Sequence, residues 1–278
     1  MMPPGHPAFR PRRPASDGRR PRAFTLIELL LVIGIIGVLA VTSVPALRSL
    51  TQVNTQASGE RQVLDDLGLA RQMAINNRRT VYVVFTPPTV AQHLPLLATS
   101  ANPDRQREEL LLRSLFTRQY ASYALFTRRS VGDQPGQGRP RYLTDWKDLP
   151  EGMLFLTNRL VELTKGQWES VSGTLSVTNR PLPYGNFPFP TALSPMLRAP
   201  YIAFDPQGRV YYDDDWEPKI EGEAVSLSRG SAFYLRDANG VPDLGAAPDF
   251  SISPPTNRVD ILVNWLTGRA EVQTYKMP

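Results

Sequence analysis

One stretch near the start of the chain is hydrophobic without interruption, and its length predicts a membrane-spanning helix. From Phe24 to Leu47 the residues read FTLIELLLVIGIIGVLAVTSVPAL, and Glu28 carries the only ionisable side chain. Nineteen consecutive uncharged residues begin at Leu29. About twenty helical residues extend roughly 30 Å, which matches the hydrocarbon core of a bilayer. We therefore predict that residues 24–47 form a transmembrane helix.

The charges around this helix predict its orientation. Residues 1–23 contain six arginines and one acidic residue, and they are followed by 25 basic and 25 acidic residues. Since positive residues that flank a membrane helix stay in the cytoplasm, we expect residues 1–23 inside and the long C-terminal part outside. The formal net charge of +5 belongs to the first segment and says little about partners of the remainder. Hydropathy alone leaves two simpler hypotheses open: a secretory signal peptide, whose apolar run is normally shorter, and a plain signal anchor.

Glu28 argues against a plain anchor. A carboxylate at the centre of a bilayer costs about 2.5–3.5 kcal/mol, and less near the interface. A free α-amino group on the Phe24 of a neighbouring subunit would neutralise this charge. Such a group exists only after cleavage between Ala23 and Phe24, so the buried acid favours a processed subunit that assembles with others.

The same junction resembles a known processing motif. Residues 22–30, RAFTLIELL, resemble the cleavage site of type IV pilins and of the pseudopilins of type II secretion. The resemblance implies cleavage after Ala23, methylation of Phe24 and an assembly role for Glu28. It also implies that Pro45 bends or opens the helix, as prolines do. That family usually has glycine where Ala23 stands; alanine is also small, so we expect cleavage.

The resemblance further implies partners, location and organisation. It predicts a structural subunit of a type IV pilus or a secretion pseudopilus, anchored by a single pass in the bacterial inner membrane with an extracytoplasmic C-terminal domain. The expected partners are prepilin peptidase, the membrane and other pilin or pseudopilin subunits in a hetero-oligomeric filament. The predicted parts are a basic leader at 1–23, which is removed, a long N-terminal helix at 24–78 and a β-rich globular domain at 79–278.

Beyond the membrane segment the helical pattern becomes amphipathic. The apolar residues that recur at helical spacing are Val63, Leu67, Ala70 and Ala74. This stripe predicts a helix that packs on a sheet of the same chain and ends near Asn76–Asn77. We expect Ser58–Gly59 to loosen or break the helix midway.

Aromatic and β-branched runs then predict an antiparallel sheet. Thr80–Phe85 is a predicted strand entered directly from the helix, and Tyr120–Phe126 is a second one. Tyr201–Tyr212 is a predicted hairpin, because Asp205–Gly208 has proline second and glycine fourth, as a type I turn prefers. Val259–Thr274 is a second predicted hairpin. One long helix followed by strands gives an α+β fold in which the helix packs on an antiparallel sheet, as in pilins.

The strand segments also resemble GspH/FimT-type minor pseudopilins. The parts that carry this resemblance are the VYVVF strand, the YIAFDPQGRV hairpin and the closing pair through LTGR. The chain is longer than that group leads us to expect. We assign the excess to surface loops at Pro87–Arg107, Ser130–Pro140 and Pro181–Pro200, the last of which contains six prolines and cannot be a central strand.

Composition argues against an enzyme. The chain has no cysteine and only two histidines, His6 in the leader and His93. A Ser-His-Asp triad would need His93, which we interpret as an ordinary loop histidine without a nucleophile elbow. Metal sites based on histidine or cysteine are excluded, and we expect no cofactor. We therefore predict no catalytic residues.

Two acidic segments are weak candidates for binding a hard cation. Asp213–Asp215 with Glu217 follows a predicted strand, whereas Asp237, Asn239 and Asp243 surround a glycine turn and loosely resemble a calcium loop. Neither segment matches an EF-hand. We favour solvated turns and predict no metal site.

Nucleic acid remains an alternative partner. The arginines that could contact phosphates if they cluster in space are Arg78, Arg79, Arg105, Arg107, Arg113, Arg118, Arg128 and Arg129. The neutral charge balance after residue 23 weakens this hypothesis. Two alternatives to the assembly subunit therefore stay open: a minor pilin that binds DNA for uptake, and an extracytoplasmic enzyme on a signal anchor.

Overall fold

The protein consists of two compact units, Met1–Leu50 and Thr51–Pro278. The computed structural model describes residues 25–99, 103–129, 132–133, 138–213, 222–252 and 258–273, with side chains described at all of these positions except 41–53 and 98–99. The predicted leader and the Ala23–Phe24 junction lie outside the described residues. Helix α1, Leu26–Asn77, begins in the first unit and ends in the second.

Helix α1 runs through Ser58–Gly59 without a break, so the prediction of a loosened helix there was wrong. Gly59 is buried, and a Cβ atom at this position would lie 3.5 Å from Pro150 Cδ and 3.6 Å from Met153 Cγ. Packing on these neighbours compensates for the weak helix propensity of glycine. Because Gly59 has no side chain, Pro150 and Met153 can pack closely against the helix at this point, and the helix continues.

The helix ends at Asn77, as the apolar stripe predicted. Arg78 adopts a left-handed backbone conformation with φ 50°, and the Arg79 amide donates to the Ala74 carbonyl at 3.1 Å. These features end the helix and turn the chain directly into strand β1, Val81–Phe85. The predicted transition from helix to strand is confirmed.

The first sheet has seven antiparallel strands among the described residues. Its path is β3-β2-β1-β7-β6, with β4 paired to β2 and β8 paired to β7. The remaining strands are β2 Ser122–Thr127, β3 Arg141–Tyr142, β4 Lys147–Asp148, β6 Tyr184–Pro188, β7 Met196–Phe204 and β8 Val210–Tyr211. A 3₁₀ helix at Val90–Thr99 and helix α2 at Arg105–Phe116 lie between β1 and β2 in the chain.

The second sheet has five antiparallel strands in the described part of the chain. Its path is β10-β9-β11-β12, with β5 paired to β9. The strands are β5 Met153–Phe155, β9 Glu223–Phe233, β10 Asp249–Ile252, β11 Val259–Val263 and β12 Ala270–Gln273. A 3₁₀ helix at Thr157–Leu160 and helix α3 at Lys165–Ser172 precede β6. The predicted α+β class with antiparallel pairing is confirmed.

The main hydrophobic core joins the helix to both sheets. Val63, Leu67, Ala70 and Ala74 are at most 3% exposed. They belong to one buried cluster with side chains of β1, β2 and β7 from the first sheet and β5, β9 and β11 from the second. The apolar stripe predicted from the sequence is therefore the face of the helix that packs against both sheets.

The proline-rich segment Pro181–Pro200 is not the surface loop that we predicted. It contains edge strand β6 and the first half of β7, and in residues 181–190 only Asn186 is exposed. Pro200 is tolerated because β7 pairs only with β6 up to this point and adds β1 as a second neighbour from Tyr201 onward. Proline can occupy a strand where no ladder amide is required.

The predicted loop Pro87–Arg107 is also more ordered than expected, because it holds the 3₁₀ helix and the start of α2. Side chains from both helices form a separate buried cluster with Phe189. Much of the third predicted loop, Ser130–Pro140, lies outside the described residues.

Both predicted hairpins are confirmed, and their turns meet beside the helix. Strand β7 pairs with β8, and β11 pairs with β12. In the first turn the Gly208 amide donates to the Asp205 carbonyl at 2.8 Å, and Gly208 has φ 79°. In the second turn Gly268 packs against Gly208, and Arg71 Nε donates to the Thr267 carbonyl at 2.6 Å.

Candidate functional site

Glu28 lies in the first turn of helix α1, next to the residue that caps the helix. The Thr25 hydroxyl oxygen accepts a hydrogen bond from the Glu28 amide at 3.3 Å, and the Thr25 carbonyl accepts from the Leu29 amide at 3.2 Å. Thr25 therefore caps the helix, and the TLIE sequence has the Thr-x-x-Glu spacing of a capping box. A carboxylate in a first helical turn also interacts favourably with the helix dipole.

The helix that follows is apolar and exposed on every side. All residues from Thr25 to Ala40 are exposed. Eleven of them are large hydrophobic residues whose exposed fractions range from 42% at Val32 to 77% at Leu26. Exposed apolar surface of this extent in one helix is typical of an interaction or membrane site.

Two further predictions for this helix concern Pro45 and the membrane span. Pro45 lies within the bounds of α1, and its side chain is outside the described residues. Over the described residues, no helix combines the length and the apolar character needed to cross a bilayer.

The second candidate site is a cleft of about 340 Å³ just beyond the end of the helix. Four of the predicted arginines line it: Arg78, Arg79, Arg128 and Arg129. Thr80, Tyr82, Thr127, Pro206 and Tyr211 complete its wall. Arg78 and Arg79 precede β1, and Arg128 and Arg129 follow β2. These two pairs lie close together because β1 and β2 are antiparallel neighbours, so that the start of one strand lies beside the end of the other. We call this site the arginine cleft.

Two arginines of the cleft are held by defined contacts. Arg128 Nη2 lies 2.7 Å from Asp213 Oδ2, and its guanidinium carbon lies 5.0 Å from the centre of the Tyr82 ring. Arg79 Nη1 donates to the Arg129 carbonyl at 2.9 Å. Burial lowers the pKa of Arg79, and the positive charge of Arg141 lowers it further, while Asp133 acts in the opposite direction.

The other two arginines of the cleft have exposed side chains. Arg78 and Arg129 are exposed, and neither side chain forms an ion pair within the described part of the chain. The cleft thus combines anchored and exposed guanidinium groups. In proteins, guanidinium groups bind carboxylates and phosphates through paired hydrogen bonds.

The remaining predicted arginines do not join the cleft. Arg113 pairs with Glu109 on α2 at 2.8 Å, and Arg118 pairs with Asp148. Arg105 and Arg107 lie on the exposed first turn of α2. The structure therefore brings together half of the arginines proposed for contacts with nucleic acid.

His93 is buried, which corrects its interpretation as an ordinary loop histidine. Its Nε2 atom lies 2.7 Å from the Phe189 carbonyl oxygen. Burial lowers the pKa of His93, against the opposing effects of the backbone contacts to Phe189 and Pro195 and of the Glu108 charge. Glu108 is itself buried and bonds to the Ser194 hydroxyl. Since Ser194 contacts the acid and not the imidazole, these residues lack the order of a nucleophilic triad.

The acidic turn at 237–243 uses its carboxylates on its own backbone. Asp237 Oδ1 accepts from the amides of Asn239 and Val241, each at 2.9 Å, and Asp243 Oδ1 accepts from the Gly245 amide at 2.9 Å. Among the described residues, no group of three or more His, Asp or Glu side chains is arranged to hold a metal ion. Of the other acidic segment, Asp213 is bound to Arg128, and Asp214, Asp215 and Glu217 lie outside the described residues.

A buried ion cluster in the second sheet had no signal in the sequence. Arg180 Nη2 lies 2.6 Å from Glu223 Oε1, and Arg159 Nη2 lies 3.7 Å from Glu223 Oε2. All three side chains are at most 1% exposed, and burial lowers the pKa of Arg159 to about 10. Tyr212 also donates to Glu223 at 3.1 Å. The residues are widely separated in the chain, and no periodic pattern links them.

Residues 18–44 match the family model described as the prokaryotic N-terminal methylation motif. The matched range includes Ala23, Phe24 and Glu28. No curated protein sequence and no solved structure matches the chain significantly.

Proposed function

Because residues 18–44 carry the N-terminal methylation motif, we propose that this chain is a type IV pilin-like assembly subunit. It is made as a precursor, and a prepilin peptidase cuts it between Ala23 and Phe24 and methylates the new amino group. The motif match is the observation that carries this proposal. We assign the chain a structural role in assembly.

The apolar helix has two successive environments in this proposal. Residues 24–47 first anchor the subunit in the bacterial inner membrane with the C-terminal domain outside the cytoplasm, and then pack in the core of a filament. The exposure of apolar side chains all round the helix between Leu26 and Leu39 supports this role, because such a surface needs lipid or other helices to cover it.

Glu28 is assigned a role in subunit pairing. In the filament its carboxylate neutralises the α-amino group of Phe24 on a neighbouring subunit. Its position one turn from the start of the helix, among exposed apolar side chains, supports this assignment. The pairing would compensate for the cost of placing a charge in an apolar environment.

More narrowly, we place the chain among the minor pseudopilins or pilins of hetero-oligomeric filaments, with a GspH/FimT-like domain. The support is the arrangement of the second unit, in which an amphipathic helix continues into β1 and two hairpin turns meet beside Arg71. The filament is a type IV pilus or a type II secretion pseudopilus.

The first test is the identity of the mature N-terminal residue. Mass spectrometry of the membrane-associated chain should give N-methylated Phe24 in cells that contain prepilin peptidase, and residues 1–23 should remain in cells that lack it. An N-terminus at another residue in peptidase-positive cells would contradict the proposal.

A second test separates the charge of Glu28 from its position in the capping sequence. Glu28→Ala and Glu28→Gln should both insert into the membrane, and both should be incorporated into filaments less than the natural chain. Each 1.4 kcal/mol of lost pairing free energy should lower incorporation roughly tenfold. Thr25→Val is the control, because it removes the capping hydroxyl group and leaves the charge. If Glu28→Gln assembles normally and Thr25→Val does not, capping and not pairing explains the acid.

A further inference from the structure

The arginine cleft has the charge and the size to bind a short acidic stretch of another protein. We propose that it receives an acidic segment of a different pilin-like subunit, which lies beside this chain in the hetero-oligomeric filament. This inference rests on the proposed assembly function and adds to it a contact made by the second unit, outside the apolar helix. The segment is identified by its chemistry, which is neighbouring Asp or Glu side chains on a short stretch of backbone.

One arginine of the cleft is held in place before any partner binds. Arg128 Nη2 lies 2.7 Å from Asp213 Oδ2. The guanidinium carbon of Arg128 lies 5.0 Å from the centre of the Tyr82 ring and 5.7 Å from the centre of the Phe187 ring. These contacts leave 44% of the side chain exposed. A guanidinium group that is already oriented loses little conformational entropy when it binds a carboxylate.

The positive charge at the cleft exceeds the negative charge that the described residues place beside it. Asp213 pairs with Arg128, and the Asp133 charge acts on Arg79. Arg141, on the neighbouring strand β3, adds a positive charge that lowers the pKa of Arg79. A surface with an excess of positive charge attracts a partner that carries carboxylates and steers it towards the cleft.

The size and the composition of the cleft indicate a protein segment. Its volume of about 340 Å³ is near the lower end of the range for binding pockets and suits a few side chains. Beside the arginines it offers Pro206 and the ring of Tyr211, which is 38% exposed. Arginine and tyrosine are among the residues that contribute most binding energy at protein interfaces.

The expected partner is a subunit of another kind and not a second copy of this chain. In the proposed filament, a minor subunit has neighbours of other sequence. The acidic turn at 237–243 of this chain is also unsuited to the cleft. The Asp237 and Asp243 carboxylates accept hydrogen bonds from their own turn. They also share a pocket with Arg113 and Arg236, so this turn does not present a surface of one charge.

The distribution of the other arginines favours a protein over nucleic acid. A duplex carries one charge about every 1.7 Å, and proteins that bind it contact many phosphates. Arg113 and Arg118 pair with acidic neighbours and do not line the cleft. A short segment with a few carboxylates therefore fits this small cleft better than a continuous phosphate backbone.

Photo-cross-linking of the full-length chain in cells tests the contact. The photoreactive amino acid p-benzoylphenylalanine replaces Tyr211, an aromatic residue that lines the cleft. In peptidase-positive cells that assemble filaments, ultraviolet light should produce an adduct of higher mass. Mass spectrometry should identify its cross-linked peptide as an acidic segment of a different chain that carries its own N-terminal methylation motif. No adduct, an adduct with a second copy of this chain, or a cross-linked peptide without Asp or Glu would overturn the inference.

Charge reversal shows whether the arginines hold the contact. In the photoreactive chain, Arg78→Glu and Arg129→Glu should each reduce the adduct about tenfold. Arg105→Glu, an equal change at an exposed site outside the cleft, is the matched control and should leave the adduct unchanged. Urea unfolding followed by tryptophan fluorescence checks that each variant is folded. If reversal at the cleft has no more effect than the control, the contact is not electrostatic and the inference fails.

An exchange of charges separates a lost contact from a local distortion of the cleft. In the partner, the acidic residues of the cross-linked peptide are replaced by arginine. This change should reduce the adduct with the natural cleft and restore it with Arg78→Glu. A distorted cleft would not recover, and a partner variant that leaves both adducts unaltered would reject the assigned segment.

Further measurements distinguish the possible failures. The N-terminal residue is determined on the same cells, so a Phe24 N-terminus without an adduct rejects the contact and leaves the proposed function intact. A cross-link within one chain to residues 214–217 would assign the cleft to the chain's own acidic segment. The purified chain is also tested for retention by duplex DNA at low salt. Retention that is lost in Arg78→Glu, together with no adduct, would assign the cleft to nucleic acid instead.

Discussion

The two ends of helix α1 carry apolar residues of the same kind in opposite environments. Leu31, in the first unit, is 63% exposed, whereas Leu67, in the second unit, is 1% exposed. Around Leu31 the apolar residues cover the whole circumference of the helix; around Leu67 they form one stripe, with polar residues on the other faces. A stripe can be buried by a sheet of the same chain, but an apolar surface on all sides needs lipid or neighbouring subunits.

This difference divides the helix by function. The second half stabilises the domain, because its stripe belongs to the core shared by both sheets. The first half contributes little to that core and is available for anchoring and assembly. Substitutions in the two halves should therefore affect different measurements.

The largest expected effect comes from removing one leucine in each half. Leu67→Ala should lower the free energy of unfolding of the domain by about 2–5 kcal/mol, because it leaves a cavity in the core. Leu31→Ala should leave that free energy unchanged and reduce incorporation into filaments. The four tryptophans at 146, 168, 216 and 265 all lie in the second unit, so fluorescence during urea unfolding reports on the domain alone. Equal destabilisation by both variants would contradict the division.

Acidic residues in the two halves of the helix give the next comparison. Asp66 is 6% exposed and accepts from Tyr123 Oη at 2.7 Å and Lys147 Nζ at 2.5 Å. Asp66→Ala should destabilise the domain by about 1–3 kcal/mol, because it leaves buried partners unsatisfied. Solvent screens the partly exposed Lys147, so the phenol contact should dominate. Asp65→Ala, a change at the exposed neighbouring position, is the control, and Glu28→Ala should not alter domain stability at all. The urea midpoints of Asp66→Ala, Asp65→Ala and Glu28→Ala measure these effects, and equal midpoints for all three would contradict the prediction.

Periodicity predicted the helical stripe, the β1 strand and both hairpins, because each depends on residues close together in the chain. Val63 and Leu67 lie one turn apart, and the Asp205–Gly208 turn contains its own conformational signals. The same local evidence failed at Gly59, where buried contacts to Pro150 and Met153 override the weak helix propensity of glycine. Local signals are sufficient only where no distant residue determines the outcome.

The candidate sites show the same limit. The FTLIE residues are contiguous, so the sequence alone was sufficient to predict the methylation motif that residues 18–44 match. The arginine cleft required the pairing of β1 with β2 to bring Arg78 and Arg79 near Arg128 and Arg129. The proline-rich segment was misjudged because its burial depends on strand pairing with β7. Tertiary packing brought these residues together, and no pattern in the sequence predicted that they would be close in space.

A change in pH should act on the stability of the domain through His93. His93 is the only histidine after the leader, and burial lowers its pKa in the folded state. An unfolded chain binds the proton near pH 6.5, so stability should fall as the pH drops through this value towards the lower folded pKa. The loss should be visible between pH 7.5 and 5.5. His93→Gln should flatten this dependence in urea titrations; an unchanged slope would contradict the assignment.

The smallest expected effect comes from replacing one glycine in each half of the helix with alanine. It tests whether residues of the same chain pack on one half and neighbouring helices pack on the other. Gly59→Ala adds a Cβ at 3.5 Å from Pro150 Cδ, an ordinary contact, and should stabilise the domain by about 0.4–1 kcal/mol by reducing the freedom of the unfolded chain. Gly34→Ala meets no atom of this chain within 4 Å. If neighbouring helices pack closely on Gly34, as small residues allow, this variant should lose filament incorporation while its fluorescence-detected stability stays unchanged. Normal assembly of Gly34→Ala would show that the apolar half accepts a methyl group at this position and that its packing there is loose.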